Sequence, residues 1–239
     1  PDGLLAVPST TGGKPRIIVP ISEQKSLVMQ THEDIHHQGH QKVLHVLYPS
    51  FYWPNMESDV EKWCQECEKC ARAKVRRRHL KSQFNALADS SIGLPRERYG
   101  IDFYGVQNGE ILVFVDLATR ETILRFLPNR KQESVVKAIL NDIVFARGVP
   151  RSIRSDNAPE LVQGVVRKVA TYLGIDQIVT GGHNPRGNSI CERVMQTIGA
   201  MLRKLEDAQY RNLRDVSPSM QFAINCAHNS SIGRAPFER

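Results

Sequence analysis

The stretch that decides the fold of this chain is IRSDNAPELVQGVVRKVATYLGIDQIVTGGHNPRGNSICERVMQTIGAML, residues 153–202. Asp156 follows a short apolar run in this stretch, and Glu192 stands near the start of a long amphipathic segment, with thirty-five residues between them. A third acid, Asp102, lies upstream in RYGIDFYG, at the predicted end of a strand. Three carboxylates can hold two divalent cations, such as Mg²⁺, if one of them bridges both ions.

Each of these acids also has a simpler interpretation. A single Asp or Glu is usually a solvated surface residue, and the SDNAPE context of Asp156 is typical of a turn and helix N-cap. Glu192, Gln196 and Arg203 share one side of a predicted helix, which suits either the rim of a site that faces DNA or a solvated face. The other side of that helix is an apolar stripe: Ile190, Val194, Ile198, Met201, Leu202 and Leu205.

Composition indicates a soluble globular chain with a polyanionic partner. The chain has 239 residues, 41% of them hydrophobic, a formal net charge of +7 and a pI of about 9.3, and this length favours two folded units. No apolar run reaches the roughly 18 residues of a membrane-spanning helix. Three of the five cysteines cluster at positions 64, 67 and 70, which favours a metal site in a reducing compartment over a disulfide framework.

Residues 32–70 are dense in metal-ligand side chains. His32 and His37 stand close together, and Cys67 and Cys70 follow as a Cys-x-x-Cys pair, a ligand set that predicts a tetrahedral structural zinc site. A domain of this size needs the metal to fold. The residues alone leave rival ligands open: His36, His40, His45 and Cys64. An iron–sulfur site is disfavoured because no fourth cysteine followed by proline is present.

The segment that follows is a basic linker. Arg76, Arg77, Arg78 and Lys81 predict sequence-independent contacts with DNA phosphates, although a solvated charged connector has the same composition.

The remainder predicts an α/β domain. Strands are expected near 99–104, 111–115, 121–127, 152–154 and 175–179, and helices near 131–146, 160–173, 188–207 and 217–228. This order places Asp102 and Asp156 at adjacent strand ends and brings Glu192 from a helix packed across the sheet.

Taken together, these motifs resemble the integrase of gypsy-type long-terminal-repeat retrotransposons, a relative of retroviral integrases. The resemblance covers residues 10–239. Its motifs are His32 and His37 with Gln38-Gly39, FYWPNM at 51–56, Cys67 with Cys70, GIDF at 100–103, VFVDLATR at 113–120, SDNAPEL at 155–161, HNPRGNSICER at 183–193 and GRAPFE at 233–238. The family's spacing from Trp53 selects Cys67 and Cys70 over Cys64, and His37 over His36 and His40.

The resemblance implies an α/β ribonuclease-H-like catalytic core, a mixed sheet flanked by helices, preceded by a small helical zinc-binding domain. The implied boundaries are an amino-terminal extension at 1–30, the zinc domain at 31–74, the basic linker at 75–94 and the core at 95–239. The implied carboxylate ligands of two Mg²⁺ or Mn²⁺ ions are Asp102, Asp156 and Glu192. The implied ligands of one structural Zn²⁺ are His32, His37, Cys67 and Cys70.

The implied activity is metal-dependent trimming of the element's DNA ends and their joining to target DNA, by a multimer that is at least a dimer. The implied location is the nucleus of a eukaryotic host, with a cytoplasmic stage. Ala158 and Leu161 replace the glycine and phenylalanine usual in the family, and the family's carboxy-terminal DNA- and chromatin-binding domain is expected to be absent from these residues. Two alternatives remain: a domesticated or decayed integrase-like protein that binds nucleic acid without catalysis, and a zinc-containing interaction module.

Overall fold

The structure, a computed structural model, describes residues 5–8, 15–73, 93–180, 189–205 and 213–238. The described part of the chain forms a small helical domain up to residue 73 and an α/β domain from residue 93 onward. Within these residues, no helix is both long and apolar enough to cross a membrane.

The amino-terminal domain consists of four helices and a short three-stranded sheet. Its helices are α1 (Ile21–Asp34), α2 (His40–Leu47), α3 (Met56–Gln65) and α4 (Glu68–Ala73). Its strands are β1 (Ala6–Val7), β2 (Arg16–Ile18) and β3 (Phe51–Tyr52), and β2 pairs with both others. Apolar residues of the helices and of the strand flanks share one core: Val19, Val28, Val43, Leu44, Leu47, Trp53, Met56, Val60 and Cys64.

Helix α1 begins directly after a proline. Its first residue is Ile21, which follows Pro20, and no side chain caps it. Pro20 ends the preceding strand, because it cannot donate a ladder hydrogen bond. Val19 and Val28, from the region assigned to an amino-terminal extension, pack in the same core as the helices of the zinc domain.

The α/β domain is built on a five-stranded sheet in the order β6-β5-β4-β7-β8. Its strands are β4 (Arg98–Val106), β5 (Gly109–Asp116), β6 (Thr122–Leu127), β7 (Ser152–Ser155) and β8 (Asp176–Val179). The first three strands form an antiparallel meander, and β7 and β8 add parallel to the free edge of β4. The sheet is therefore mixed, as predicted.

Helices cover both faces of this sheet. Successive side chains of a strand point to opposite faces, so alternate residues pack against the helices of one face or the other. From β5, Leu112 and Phe114 point into a core with the helices of one face, and Ile111, Val113 and Val115 point into a core with the other. The first face carries α5 (Gln132–Ala138), a π-helical turn (Ile139–Val144), α6 (Phe145–Arg147), α7 (Pro159–Val162) and α8 (Gly164–Tyr172). The second carries α9 (Ser189–Leu202) and α10 (Leu213–Cys226).

Two predicted helices are interrupted. The helix expected over 160–173 is broken at Gln163, whose backbone is extended, and α8 starts at Gly164 with a φ of +58°. A Cβ at Gly164 would lie 2.1 Å from the side-chain oxygen of Gln132. The left-handed backbone at this position favours glycine, and the Gln132 side chain occupies the space that a Cβ would take. The helix expected over 131–146 contains the π-helical turn, which sequence periodicity does not reveal.

Candidate metal centres

Four side chains of the amino-terminal domain form a closed group. The ligand atoms of His32, His37, Cys67 and Cys70 all lie within 4.8 Å of one another. His32 Nε2 is 3.2 Å from Cys70 Sγ, and His37 Nδ1 is 3.4 Å from Cys67 Sγ. Two imidazoles and two thiols at such separations fit the tetrahedral ligand set of a structural zinc ion, which binds nitrogen at about 2.0 Å and sulfur at about 2.3 Å.

Local backbone geometry brings these ligands together. His32 lies in the last turn of α1, and His37 follows in the loop before α2, where His36 and His37 both have a φ of 54°. This left-handed conformation is costly for residues with a Cβ, so the loop needs compensating contacts. Cys67 immediately precedes α4 and Cys70 lies within it, and their spacing places both thiols on one side of the helix.

The electrostatics of this group suit a metal that takes neutral imidazoles. Burial lowers the pKa of His32 to about 4, with further contributions from His37 and Lys204. The pKa of His37 is also lowered, by burial first and then by Lys204. Burial raises the pKa of the Cys70 thiol, and Lys204 opposes that effect. Both histidines are therefore held in the neutral form that binds zinc.

The rival ligands lie elsewhere. Cys64 is buried in the apolar core, which raises its pKa to about 11. The Nε2 atom of His36 is 3.2 Å from the Ser219 hydroxyl, and His45 packs on His228 with 4.7 Å between ring centroids. None of these three side chains, nor His40, belongs to the group whose ligand atoms lie within 4.8 Å of one another, which agrees with the ligands that the family spacing selected.

The three predicted acids come from three elements of the α/β domain. Asp102 lies on β4, Asp156 directly follows β7, and Glu192 is in the first turn of α9. Asp156 and Glu192 are exposed, and Asp102 is half-buried. An oxygen of Asp156 accepts a hydrogen bond of 3.2 Å from the backbone N–H of Ala158, so this residue also forms the turn of the simpler interpretation.

Asp102 does not end its strand, contrary to the prediction. It pairs with Val113 in the middle of the β4–β5 ladder. It lies instead beyond the parallel ladder, whose last pair joins Gly100 of β4 to Arg154 of β7. Continuing that register places Asp102 beside Asp156, because parallel strands run in the same direction. This register supports the predicted adjacency, which arises from the end of the shorter neighbouring strand.

The other two acids act on the ionisation of Asp102. The pKa of Asp102 is raised, first by burial and then by the negative charges of Asp156 and Glu192, while a hydrogen bond from the Phe103 N–H opposes the shift. Like charges that share a site disfavour ionisation, and a bound cation reverses this effect. The acids are thus near neighbours, although among the described residues only the His2Cys2 group gathers its ligand atoms closely enough for a metal ion.

Another acid in a family-like motif has a structural role. Asp116, in VFVDLATR, is fully buried at the end of β5. Its carboxylate accepts hydrogen bonds from the backbone N–H groups of Arg96, at 2.8 Å, and Ala118, at 2.9 Å. It therefore holds the β5–β6 turn against the segment that enters β4.

The predicted DNA-contacting residues divide into two sets. Gln196 and Arg203 are exposed on α9 and just beyond it, on the side opposite the buried Ile198 and Leu202, as the sequence predicted. The linker residues Arg76, Arg77, Arg78 and Lys81 lie outside the described residues. Sequence reasoning gave no role to Lys204, which reaches the His2Cys2 group from the core. A lysine at a helix end carries no pattern that would have singled it out.

Comparison with known families assigns both domains. Residues 19–76 match the integrase zinc-binding domain, and residues 94–185 match the integrase core domain. The first match contains all four residues of the His2Cys2 group, and the second contains Asp102 and Asp156.

Relatives extend the match over most of the chain. The chain is 28% identical to the Gag-Pol polyprotein of koala retrovirus over 94% of its length. It is 26% identical to the gypsy retrotransposon integrase-like protein 1 of Macaca fascicularis over 92%, and 25% identical to an uncharacterized protein of Caenorhabditis elegans over 93%. It spans 13%, 43% and 17% of these three relatives, respectively. The chain therefore carries an integrase zinc-binding domain and an integrase core domain, and it is homologous to gypsy retrotransposon integrase-like and retroviral Gag-Pol proteins.

Proposed function

We propose that this chain is the integrase of a retrotransposon and that it catalyses 3′-end processing of element DNA and strand transfer into target DNA. The observation that supports the proposal is that Asp102 and Asp156 both lie beyond the last pair of the β4–β7 ladder, and that the charges of Asp156 and Glu192 act on Asp102. Both reactions displace an oxygen at a phosphorus atom, and the two differ only in whether water or a DNA 3′-hydroxyl attacks.

The carboxylates match the needs of this chemistry. Divalent cations, when bound, stabilise the attacking and leaving oxygens of an in-line phosphoryl displacement. Asp102 and Asp156 would hold the ions from the sheet, and Glu192 would close the site from α9. Burial and then the charges of Asp156 and Glu192 raise the pKa of Asp102, and perturbed carboxylates of this kind are common at functional sites.

The remaining parts of the proposal concern partners and place. The net charge of +7 and the exposed cation of Arg203 on the Glu192 side of the core support contact with DNA phosphates. Joining two DNA ends to one target requires two active sites in register, so we propose that the chain acts as a multimer, at least a dimer. We further propose that it acts in the nucleus of a eukaryotic host after a cytoplasmic stage.

The proposal is tested by strand transfer with Glu192→Gln in the presence of Mg²⁺ or Mn²⁺. This change keeps the shape of the side chain but removes a negative ligand, so end processing and strand transfer should fall together by more than about 100-fold. The matched control is Glu133→Gln, since Glu133 is exposed on α5 and belongs to neither site. Wild-type joining by Glu192→Gln would falsify the catalytic assignment.

Similarity to primate integrase-like proteins keeps one alternative open, a nucleic-acid-binding protein without catalysis. DNA affinity measured on the same samples separates the two. The catalytic proposal expects Glu192→Gln to bind DNA like the wild type while losing activity. A wild-type chain that binds DNA but never joins it, with either metal, favours the non-catalytic alternative.

A further inference from the structure

The side chain of Lys204 connects the core to the His2Cys2 group. Lys204 follows α9 and is half-buried. Its Nζ donates a hydrogen bond of 2.6 Å to the backbone carbonyl oxygen of His37, and the Cys70 thiol donates to the same oxygen over 3.8 Å. A cation from one domain therefore contacts a metal-ligand residue of the other and shares its acceptor with a second ligand.

The loop that carries His37 makes further polar contacts with the core. The Gln38 amide donates a buried hydrogen bond of 3.0 Å to the carbonyl oxygen of Ala223 on α10. Its side-chain oxygen accepts a hydrogen bond of 2.6 Å from Lys42, and His36 lies 3.2 Å from the Ser219 hydroxyl. Three consecutive loop residues, 36–38, thus all contact the core.

Docking through these contacts depends on the shape of the loop. Hydrogen bonds are directional, and the hydrophobic clusters of the two domains have no residue in common. The left-handed backbone at His36 and His37 directs the His37 ring toward Cys67 and its carbonyl oxygen toward Lys204. Whatever fixes the His37 ring therefore also fixes the acceptor that Lys204 uses.

We propose that Lys204 is an outer-sphere partner of the zinc centre and that it couples zinc binding to docking of the zinc domain on α9 and α10 of the same chain. Zinc holds the loop in the conformation that the core recognises. In return, the ammonium group donates to the backbone carbonyl of the ligand residue His37, as outer partners of metal sites do. Coupling of this kind is reciprocal, since docking strengthens zinc binding by the factor by which zinc strengthens docking. Removing Lys204 should therefore weaken both events. The inference does not depend on catalysis.

Zinc affinity of the full chain, measured by competition with a chelator, is the first test. Lys204→Gln should bind zinc about 10- to 100-fold more weakly, the usual effect of losing an outer-shell partner. Lys204→Arg keeps a cationic donor and should recover most of that loss. Lys168→Gln is the matched control, since Lys168 is exposed on α8, on the opposite face of the sheet, and it should leave the affinity unchanged.

The distance between the domains is the second test. Spin labels on azide-bearing side chains at Ser58 and Tyr172, both exposed, avoid the native cysteines. At saturating zinc the wild type should give one narrow distance distribution and Lys204→Gln a broad one. Both tryptophans of the chain, Trp53 and Trp63, lie in the zinc domain. Their fluorescence therefore shows whether that domain is still folded in the variant.

Several results would overturn the proposal. Unchanged zinc affinity in Lys204→Gln would show that Lys204 is not an outer-sphere partner of the zinc centre. A narrow distribution of spin-label distances in that variant would show that Lys204 is not needed for docking. Labelled chains can also be diluted into unlabelled ones. If the narrow distance distribution is then lost, the contact is made with a second copy of the chain instead. Persistence of the distance on dilution, with both losses in Lys204→Gln, supports the proposal.

Discussion

The two candidate metal centres of this chain are built in opposite ways. The His2Cys2 group is closed, largely buried and drawn from 39 consecutive residues, 32–70. The carboxylate site is open, with Asp156 and Glu192 exposed, and 89 residues separate Asp102 from Glu192. The first uses neutral imidazoles and thiols, which tolerate burial, and the second uses charges that repel one another. The ligands of the structural metal thus come from one short segment of the sequence. The ligands of the proposed catalytic metals come from distant segments, and only the tertiary fold brings them together.

The largest effect that tests this comparison is expected from Cys67→Ser. Structural zinc contributes about 10–16 kcal/mol to the folding of small zinc domains, so losing a thiolate ligand should release the metal and unfold residues 32–70. The core, which has its own hydrophobic clusters, should stay folded. Zinc content and tryptophan fluorescence report the first event, and calorimetry reports the second.

Cys64→Ser is the matched control for that experiment. Cys64 lies in the apolar core of the zinc domain, so the variant should keep its zinc and lose only a little stability. Full retention of zinc by Cys67→Ser, or its loss in Cys64→Ser, would show that the family spacing selected the wrong thiol.

At the carboxylate site we expect a smaller effect on stability, and removing a ligand there should stabilise the metal-free core. The pKa of Asp102 is raised above its unfolded value of 3.8, so the folded core binds more protons than the unfolded chain in that interval. Its stability should therefore fall as the pH rises from 3.8 through the raised pKa. Asp102→Asn removes the charge and should raise the melting temperature of the metal-free core at pH 7 by about 2–4 °C per kcal/mol recovered.

The same variant should lose the stabilisation that Mg²⁺ gives the wild-type core in proportion to its occupancy. Melting curves with and without Mg²⁺ measure both effects. A metal-free Asp102→Asn core that is less stable than the wild type would mean that this carboxylate supports the fold and that the two centres are less different than proposed.

The smallest effect is expected from the linker between the two centres. Replacing Arg76, Arg77 and Arg78 by glutamine should flatten the salt dependence of DNA binding, by about 0.9 in the logarithmic slope for each DNA phosphate that these arginines neutralise. The affinity should fall similarly for every DNA sequence, because the phosphate backbone carries no sequence information. An unchanged slope would mean that these side chains face only solvent.

Sequence patterns predicted the His2Cys2 group, because two histidines and a Cys-x-x-Cys pair are rare in such a combination. The three acids and their spacing predict a second centre. Residue patterns also predicted the strands near 99–104, 111–115 and 121–127, whereas the mixed sheet was implied by the family resemblance. The His2Cys2 group and these strands depend on residues close together in the sequence, so they can be predicted without knowledge of the tertiary contacts.

The features that escaped prediction depend on contacts between distant residues. The break before Gly164 is shaped by Gln132 on another helix, and the position of Asp102 relative to β7 follows from a ladder with a strand some fifty residues away. Lys204 reaches a carbonyl oxygen 167 positions earlier in the chain. Periodicity within one element carries no information about such partners.

The register of the central sheet also has a consequence for how the protein is made. Strands β4 to β6 pair through short connections, whereas β7 and β8 join by parallel pairing after long crossovers, and contacts between distant segments form later than local ones. Asp102 therefore takes its position early, and Asp156 and Glu192 join it only when the later segments have folded. A ribosome-bound chain that ends before α9 should hold zinc while it still lacks a complete carboxylate site.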